Sequence, residues 1–320
     1  MSGTTGEGVG LAALVTIAAG VLGTLATRSR PPKLRRVLAA LPVGDHALAA
    51  RAARHLNASS ALLSLSVLAD SGIEHYRGMF HNKAMFVPLA VSAATLATSL
   101  HGVRERTGRA HPVRHGVAAT AAVAGMIGGG FHLYNVAKRD GGFSWMNLFY
   151  GAPLGAPYSL ILAGVMGTAA EHARDSRRGP LKLFGLRAGP ALAAITSAGI
   201  AGTVGEVALL HFRGAFQDPF MYLPVTIPPV AAVLMAKAGI EADIDATPRW
   251  PRLTRLLLWI TAALGFAGAG FHMYGVSRNM GGWRNWSQNV LAGPPIPAPP
   301  AFTALAFAGL AALDIMRERR

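Results

Sequence analysis

Long apolar segments alternate with short, strongly basic segments along the whole chain of 320 residues. The apolar segments are about 20 residues long, which lets a helix cross the ~30 Å hydrocarbon core of a bilayer. Only 14% of the residues are charged and the mean hydropathy is +0.36, whereas a soluble domain carries roughly 25% charged residues. The pattern therefore predicts an all-α polytopic integral membrane protein.

Nine segments satisfy this pattern, and we expect each of them to form a transmembrane helix. The first is not a cleaved signal peptide, because basic residues follow it instead of preceding it. The nine predicted spans cover residues 8–27, 58–79, 84–101, 116–137, 157–172, 190–213, 220–239, 254–276 and 299–316.

The Lys and Arg residues indicate the orientation of these spans. If the N-terminus lies outside, 23 of them fall in inside segments and 7 in outside segments. Positively charged loops stay on the cytoplasmic side of the membrane. The sequence therefore predicts a bacterial cytoplasmic (inner) membrane protein with a periplasmic N-terminus and a cytoplasmic C-terminus. Because the positive charges are dispersed among these loops, the net charge of +15 does not indicate a nucleic-acid partner.

The chain also contains an internal repeat. HYRGMFHNKAMFVP at 75–88 resembles HFRGAFQDPFMYLP at 211–224, and GMIGGGFHLYNVAKRDGG at 125–142 resembles GFAGAGFHMYGVSRNMGG at 265–282. NLFYGAPLGAP at 147–157 resembles NVLAGPPIPAP at 289–299. Three matches in the same order predict a duplication.

Each copy contains four predicted spans, and an even number gives both copies the same orientation. We expect two tandem parallel four-helix repeats beside a ninth, N-terminal helix. The predicted divisions are residues 1–36 (the N-terminal transmembrane helix and basic loop), 37–188 (the first repeat) and 189–320 (the second repeat).

Two histidines recur in each copy at similar depth, near the outer ends of two different spans. His75 corresponds to His211, and His132 corresponds to His272. Two glycines precede each of the later histidines on the same helical stripe. Such glycines provide a shallow slot for a flat ring, although they are also common in close helix packing without a cofactor. They are Gly125 and Gly128 in the first copy, and Gly265 and Gly268 in the second.

This spacing resembles that of membrane b-type cytochromes as a general pattern. The resemblance implies haem b held between two helices, with one imidazole on each side of the iron. Arg77 and Arg213, two residues beyond His75 and His211, are candidates for binding haem propionates. A metal without porphyrin, or histidines that serve only packing and hydrogen bonding, remain alternatives. The chain has no cysteine, which excludes iron–sulfur clusters and c-type haem.

Acidic residues within the spans form a second candidate site. Asp70 corresponds to Glu206, and Glu74 lies between Asp70 and Arg77 in the first copy only. A charged group inside a span is costly and is a functional candidate by default. These carboxylates are candidates for proton relay, with an internal ion-pair network as the alternative. Their stripe is rotated by about 140° from the histidine stripe, since successive helical residues differ by ~100°.

These features favour a membrane redox subunit that passes electrons between a periplasmic redox protein and the quinone pool. A cofactor-free ion-coupled transporter is a second hypothesis, with Asp70 and Glu206 as the coupling carboxylates. A non-catalytic membrane anchor for a periplasmic protein is a third. The sequence contains no catalytic motif that assigns an enzymatic reaction.

The predicted topology places Arg320 in the cytoplasm. A reporter enzyme that is active only in the periplasm, fused after Arg320, should therefore be silent, because nine spans from an outside N-terminus end inside. Reporter activity in that fusion would contradict the nine-span count.

Overall fold

The computed structural model describes residues 45–318 except 106–108, 152–153, 176–180 and 245–250. Ten α-helices occupy most of this part of the chain. They are α1 (Asp45–Arg77), α2 (Val87–Arg104), α3 (Pro112–Ala137), α4 (Trp145–Tyr150), α5 (Gly155–Asp175), α6 (Ala188–Arg213), α7 (Leu223–Asp243), α8 (Pro251–Arg278), α9 (Trp286–Ala292) and α10 (Pro300–Glu318).

Shorter elements connect some of these helices. Strands β1 (Lys182–Leu183) and β2 (Leu186–Arg187) pair antiparallel before α6. Short 3₁₀ helices precede α2, α7 and α9, and they cover Lys83–Phe86, Pro219–Tyr222 and Gly282–Asn285.

Seven of the helices in the described part of the chain are long and apolar enough to cross a membrane, which supports a multi-pass membrane protein. They lie where seven of the nine spans were predicted, and they cover Ala49–Arg77, Lys83–Arg104, Pro112–Ala137, Ala188–Arg213, Pro219–Asp243, Pro251–Arg278 and Pro300–Arg317.

The other two predicted spans are not confirmed. The span at 8–27 lies outside the described residues. The span at 157–172 forms a helix, α5, but this helix is not among the candidate membrane spans. Its last five residues include Glu171, His172, Arg174 and Asp175, which reduce its apolar length.

Local sequence signals explain where several helices begin and end. Proline occupies the first turn of α2, α3 and α7, where its missing N–H needs no intrahelical partner. Glycine pairs follow α3 and α8 at 141–142 and 281–282, with φ angles of +85° and +54°, and of +80° and +52°. Glycine adopts these left-handed conformations without steric cost, so the repeated Gly-Gly pairs allow the tight turns that follow these helices.

The two halves of the chain pair their helices in the same order. In the first half, α1 and α3 each pack against α2 and α5. In the second half, α6 and α8 each pack against α7 and α10. Therefore α1 and α3 occupy opposite corners of one four-helix group, and α6 and α8 occupy opposite corners of the other.

Helix α10 connects the two groups. It packs against α6 and α8 of its own half and also against α1 of the first half. Its most apolar segment is 83% buried, whereas those of the other candidate spans are 22–56% buried. Small residues such as Ala304, Ala308 and Ala311 allow neighbouring helices to approach α10 closely on several sides.

Buried ion pairs lie at one end of the bundle, which we call the arginine end. The Glu171 carboxylate accepts hydrogen bonds from Arg114 Nε and Nη2 at 2.8 and 3.0 Å. Arg174 Nη2 donates to the Gly102 carbonyl, 2.6 Å away, near the end of α2. In the second half, the fully buried Asp314 binds Arg51 of α1 and Arg255 of α8 at 2.8 and 2.9 Å.

The Glu171 contacts generate a stability prediction. Glu171→Gln leaves Arg114 and Arg174 as buried charges without their carboxylate, and breaking such a pair costs about 3–5 kcal/mol. We expect a loss of this order in the free energy of unfolding, measured by denaturant titration in detergent micelles.

Glu105→Gln is the control for this substitution. The Glu105 side chain is 24% exposed and lies 3.9 Å from Arg114, whereas that of Glu171 is 2% exposed and lies 2.8 Å from it, so the loss of Glu105 should cost less than the loss of Glu171. Equal effects of the two substitutions would contradict the assignment of Glu171 as the residue that holds this network.

Candidate functional site

The recurring histidines lie together at the opposite end of the bundle, which we call the histidine end. His75 and His211 are in the last turns of α1 and α6. His75 Nδ1 lies 2.7 Å from the Met85 carbonyl oxygen, and His211 Nδ1 lies 2.8 Å from the Met221 carbonyl oxygen. A carbonyl only accepts hydrogen bonds, so each Nδ1 donates, and in the neutral ring Nε2 carries the free lone pair.

A strained turn follows each of these two histidines. Met79 and Phe80 have φ angles of +56° and +46°, and Ala215 and Phe216 have φ angles of +56° and +47°. A left-handed conformation costs a non-glycine residue roughly 1–2 kcal/mol. The Phe80 and Phe216 amides donate to the His75 and His211 carbonyls at 3.0 Å, which stabilises both turns.

These turns place aromatic rings against the histidines. The Phe80 ring meets His75 edge-on at 6.2 Å, and the Phe216 ring meets His211 edge-on at 6.0 Å. Phe80 also stacks on Phe86 at 4.5 Å, as Phe216 stacks on Tyr222 at 4.6 Å. The same surroundings therefore orient the first histidine of each half.

The second pair of histidines is on the diagonally opposite helices. His132 is partly buried near the end of α3, and His272 is partly buried near the end of α8. His272 Nδ1 lies 2.7 Å from the Pro295 carbonyl oxygen, so this ring also donates through Nδ1. His272 and His211 lie close enough to interact electrostatically.

The two arginines have partners in the opposite half of the chain. Arg77 pairs with Glu74 at 3.1 Å and donates to the Leu291 carbonyl in α9. The Arg213 guanidinium lies 4.8 Å from the centroid of the Tyr150 ring in α4. Each arginine therefore links a long helix of one half to the short helix of the other half.

The predicted carboxylates lie near the boundary between the two halves. Asp70 interacts electrostatically with Glu74, Glu206 and Arg77. The Glu206 carboxylate packs against Gly155 at the beginning of α5, where an added Cβ would lie 2.5 Å from both carboxylate oxygens. Glycine is required at 155 for this approach, and the N-terminus of a helix favours a negative charge.

The glycine stripes face a neighbouring helix in the structure. A Cβ on Gly125 would lie 2.7 Å from the Ile161 nitrogen of α5, and one on Gly265 would lie 2.8 Å from the Thr303 nitrogen of α10. On Gly268 it would lie 2.9 Å from Pro299 Cβ, whereas on Gly128 the nearest atom is 3.9 Å away. The space beside Gly125 and Gly265 is therefore filled by a helix and not by an open slot for a ring.

Sequence reasoning missed the groups that orient the histidines. The acceptors are backbone carbonyls of Met85, Met221 and Pro295, and a backbone group has no residue-type signal. Phe80 and Phe216 do have a signal in the sequence, because they occupy equivalent positions in the repeated motif at 75–88 and 211–224. No cluster of three or more histidine and acidic residues suited to a metal ion occurs among the described residues.

Comparison with known proteins adds no assignment to this geometry. No protein family, curated protein or solved structure matches the chain.

The glycine contacts generate a prediction. Gly125→Ala should push α3 away from α5, because the Ile161 and Pro157 backbone atoms within 2.8 Å of the new methyl group cannot move independently. Overpacking of this kind costs about 1–3 kcal/mol. The measurement is the midpoint of thermal unfolding in detergent.

Gly130→Ala is the matched control in the same helix. A Cβ at 130 meets no atom within 4 Å, and alanine favours a helix over glycine by about 1 kcal/mol. Gly130→Ala should therefore keep or raise the midpoint. A lower midpoint for Gly130→Ala than for Gly125→Ala would contradict the packing role of Gly125.

Proposed function

We propose that this protein is a membrane-embedded redox subunit that holds b-type haem at two equivalent sites. His75 and His132 would hold one haem, and His211 and His272 would hold the other. The observation that carries the proposal is the orientation of the histidines. Three of the four rings donate from Nδ1 to a backbone carbonyl, which is the usual support of a histidine that binds metal through its other nitrogen.

The helix arrangement supports the same proposal. Each pair of histidines comes from diagonally opposite helices at one end of a four-helix group, so two imidazoles can approach one group from opposite sides. Two ligands suffice for a haem iron, and when bound the haem supplies one-electron transfer. The strained turns and the phenylalanine edges keep the first imidazole of each pair in one orientation.

The architecture that we propose has nine transmembrane helices, eight of which form two tandem parallel four-helix repeats. The chain would lie in the bacterial cytoplasmic membrane with its N-terminus in the periplasm and its C-terminus in the cytoplasm. The histidine end would then face the periplasm, where a redox protein exchanges electrons. Quinone in the bilayer would be the other electron partner. Asp70, Glu74 and Glu206 would hold or release the protons that quinone chemistry requires.

A cofactor-free ion-coupled transporter is the second candidate function. The observation that favours it is the interaction of Asp70 with Glu206, which brings one carboxylate from each half to the boundary between the halves. Coupling ions bind at such repeat interfaces in duplicated transporters. The presence or absence of haem in the purified protein distinguishes the two functions.

The haem sites generate a substitution test. His132→Ala should remove one haem and leave the other, and His272→Ala should do the reverse, because each pair lies in its own half. Haem content per protein is measured by the pyridine haemochrome assay, and the remaining haem by the reduced-minus-oxidised spectrum.

His81→Ala is the control at the same end of the bundle. The His81 ring is exposed, its Nδ1 hydrogen-bonds to the nearby Gly78 carbonyl at 3.0 Å, and the second half has Gln217 at the equivalent position, so its loss should leave the haem content unchanged. A folded wild-type protein without haem absorbance would contradict the redox proposal and favour the transporter.

A further inference from the structure

Two arginines at the arginine end share one buried carboxylate and still reach the surface. Asp314 is 0% exposed and accepts hydrogen bonds from Arg51 Nε and Nη2 at 2.8 and 3.0 Å and from Arg255 Nη2 at 2.9 Å. The Arg51 and Arg255 side chains are nevertheless 40% and 33% exposed. A guanidinium has five N–H donors, so Asp314 uses only part of the hydrogen-bonding capacity of this pair.

The other buried carboxylate at this end is enclosed by its arginines. Glu171 pairs with Arg114 and Arg174, whose side chains are only 4% and 1% exposed. A ligand from the bilayer or from water cannot reach those guanidinium groups. The arginines on Asp314 have the same chemistry in an open position, where they can meet a second anion.

The open side of the Asp314 pair lies between α1 and α8. Both helices pack against α10, and the Phe307 ring of α10 lies between a ring from each. It is stacked on His55 of α1 with centroids 6.0 Å apart, and it meets Trp259 of α8 edge-on at 5.9 Å. Within residues 301–316, Phe307 is the one residue of α10 that is not fully buried, so α10 reaches the surface here. We call this surface the arginine groove, and it consists of Arg51, His55, Arg255, Trp259 and Phe307.

Helical spacing places the arginines beside the rings. Arg51 precedes His55 by four residues, as Arg255 precedes Trp259, so each pair shares one face of its helix. Both arginines lie in the first turns of their candidate membrane spans, at the level of lipid headgroups. His55 and Trp259 lie ~6 Å further into the membrane, at 1.5 Å per residue. The groove is therefore charged at its outer end and aromatic towards the hydrocarbon.

The groove carries an excess of positive charge. Within the described part of the chain, Asp314 is the carboxylate that pairs with both arginines, so two positive charges meet one negative charge. Arg54 adds another positive charge within electrostatic range of His55. His55 Nδ1 is buried 3.8 Å from Asp314 Oδ2 and has no hydrogen-bond partner among the described residues. The charge of the groove is therefore complementary to an anion.

An anionic phospholipid matches both parts of this groove. Arginine binds phosphate oxygens through paired N–H groups, and basic pockets between transmembrane helices bind anionic headgroups. Tryptophan is favoured at the same membrane level. A free phosphate would use the arginines but not the rings.

We propose that the arginine groove binds one anionic phospholipid. Its phosphate contacts the guanidinium groups of Arg51 and Arg255, and one acyl chain lies along the rings of Trp259 and Phe307. The groove is at the opposite end of the bundle from the recurring histidines. The site goes beyond the proposed function and can be tested whether or not haem binds.

The first test identifies the lipids that the purified full-length protein retains. Native mass spectrometry is applied to protein released from detergent micelles that contain equal amounts of phosphatidylglycerol and phosphatidylcholine with the same acyl chains. The wild type should retain phosphatidylglycerol in preference to phosphatidylcholine. Arg51→Gln and Arg255→Gln should each weaken this retention about tenfold, as expected for one lost charge-assisted hydrogen bond. Equal retention of the two lipids by the wild type would overturn the proposal.

Each of these variants leaves Asp314 paired with one arginine. The two arginines are on different helices, so either variant that folds gives the result.

Arg104→Gln is the matched control. Arg104 is exposed in the last turn of α2, outside the groove, and its substitution changes the net charge by the same amount. It should leave the retention of phosphatidylglycerol unchanged. An equal loss of retention in Arg104→Gln would show attraction to the net charge alone and would overturn the groove as a site.

The second test separates a lipid from the other possible occupants. The midpoint of thermal unfolding is measured for delipidated protein in detergent, with phosphatidylglycerol or inorganic phosphate added. A ligand that binds the folded state raises this midpoint, so phosphatidylglycerol should raise it and inorganic phosphate should not. An equal rise with inorganic phosphate would assign the groove to a free anion. A lipid-free dimer in the mass spectrum would assign it to a second copy of the chain, and either outcome would overturn the lipid site.

Discussion

The packing of α10 against helices of both halves is the contact on which the rest of the structure depends. A bilayer gives apolar helices no hydrophobic reason to associate, so close packing and satisfied polar groups must hold them together. The small residues of α10 provide the close packing. Asp314 near its end provides the polar contact, because it binds Arg51 from the first half and Arg255 from the second.

The charged and strained features of the chain are segregated to the two ends of the bundle. Glu171 and Asp314 pair with arginines at one end, where these contacts hold the helices in register. At the other end, each half repeats a left-handed turn and a histidine bound to a backbone carbonyl. Strain of this kind persists only where the surrounding structure maintains it, and it favours a functional role for the histidine end.

The two halves of the chain are alike in how their helices pair and differ in part in what they bury. They share helix order, the backbone contact of the first histidine and the left-handed turn after it. Both bury a hydroxyl on their first long helix, Ser60 and Thr196, but Ser64 stands in the first half where the second half has Ile200. The hairpin of α6 and α7 therefore contributes more apolar side chains to the main core.

The sequence by itself determined seven of the candidate membrane spans and the positions of the repeated motifs. It did so because bilayer thickness, helical periodicity and charge placement depend on residue type alone. The predicted span at 157–172 is not confirmed, since the last five residues of α5 include Glu171, His172, Arg174 and Asp175.

Only the tertiary structure decided what each functional side chain contacts. The carbonyls of Met85, Met221 and Pro295 orient the histidines, and nothing in the identity of a residue reveals where its backbone oxygen points. The sequence allowed two roles for Gly125 and Gly265, a slot for a flat ring or close helix packing. In the structure α5 packs against Gly125 and α10 packs against Gly265. Arg77 and Arg213 each have one partner in the other half of the chain, the Leu291 carbonyl and the Tyr150 ring. Such contacts depend on how helices distant in sequence are arranged, which local periodicity does not specify.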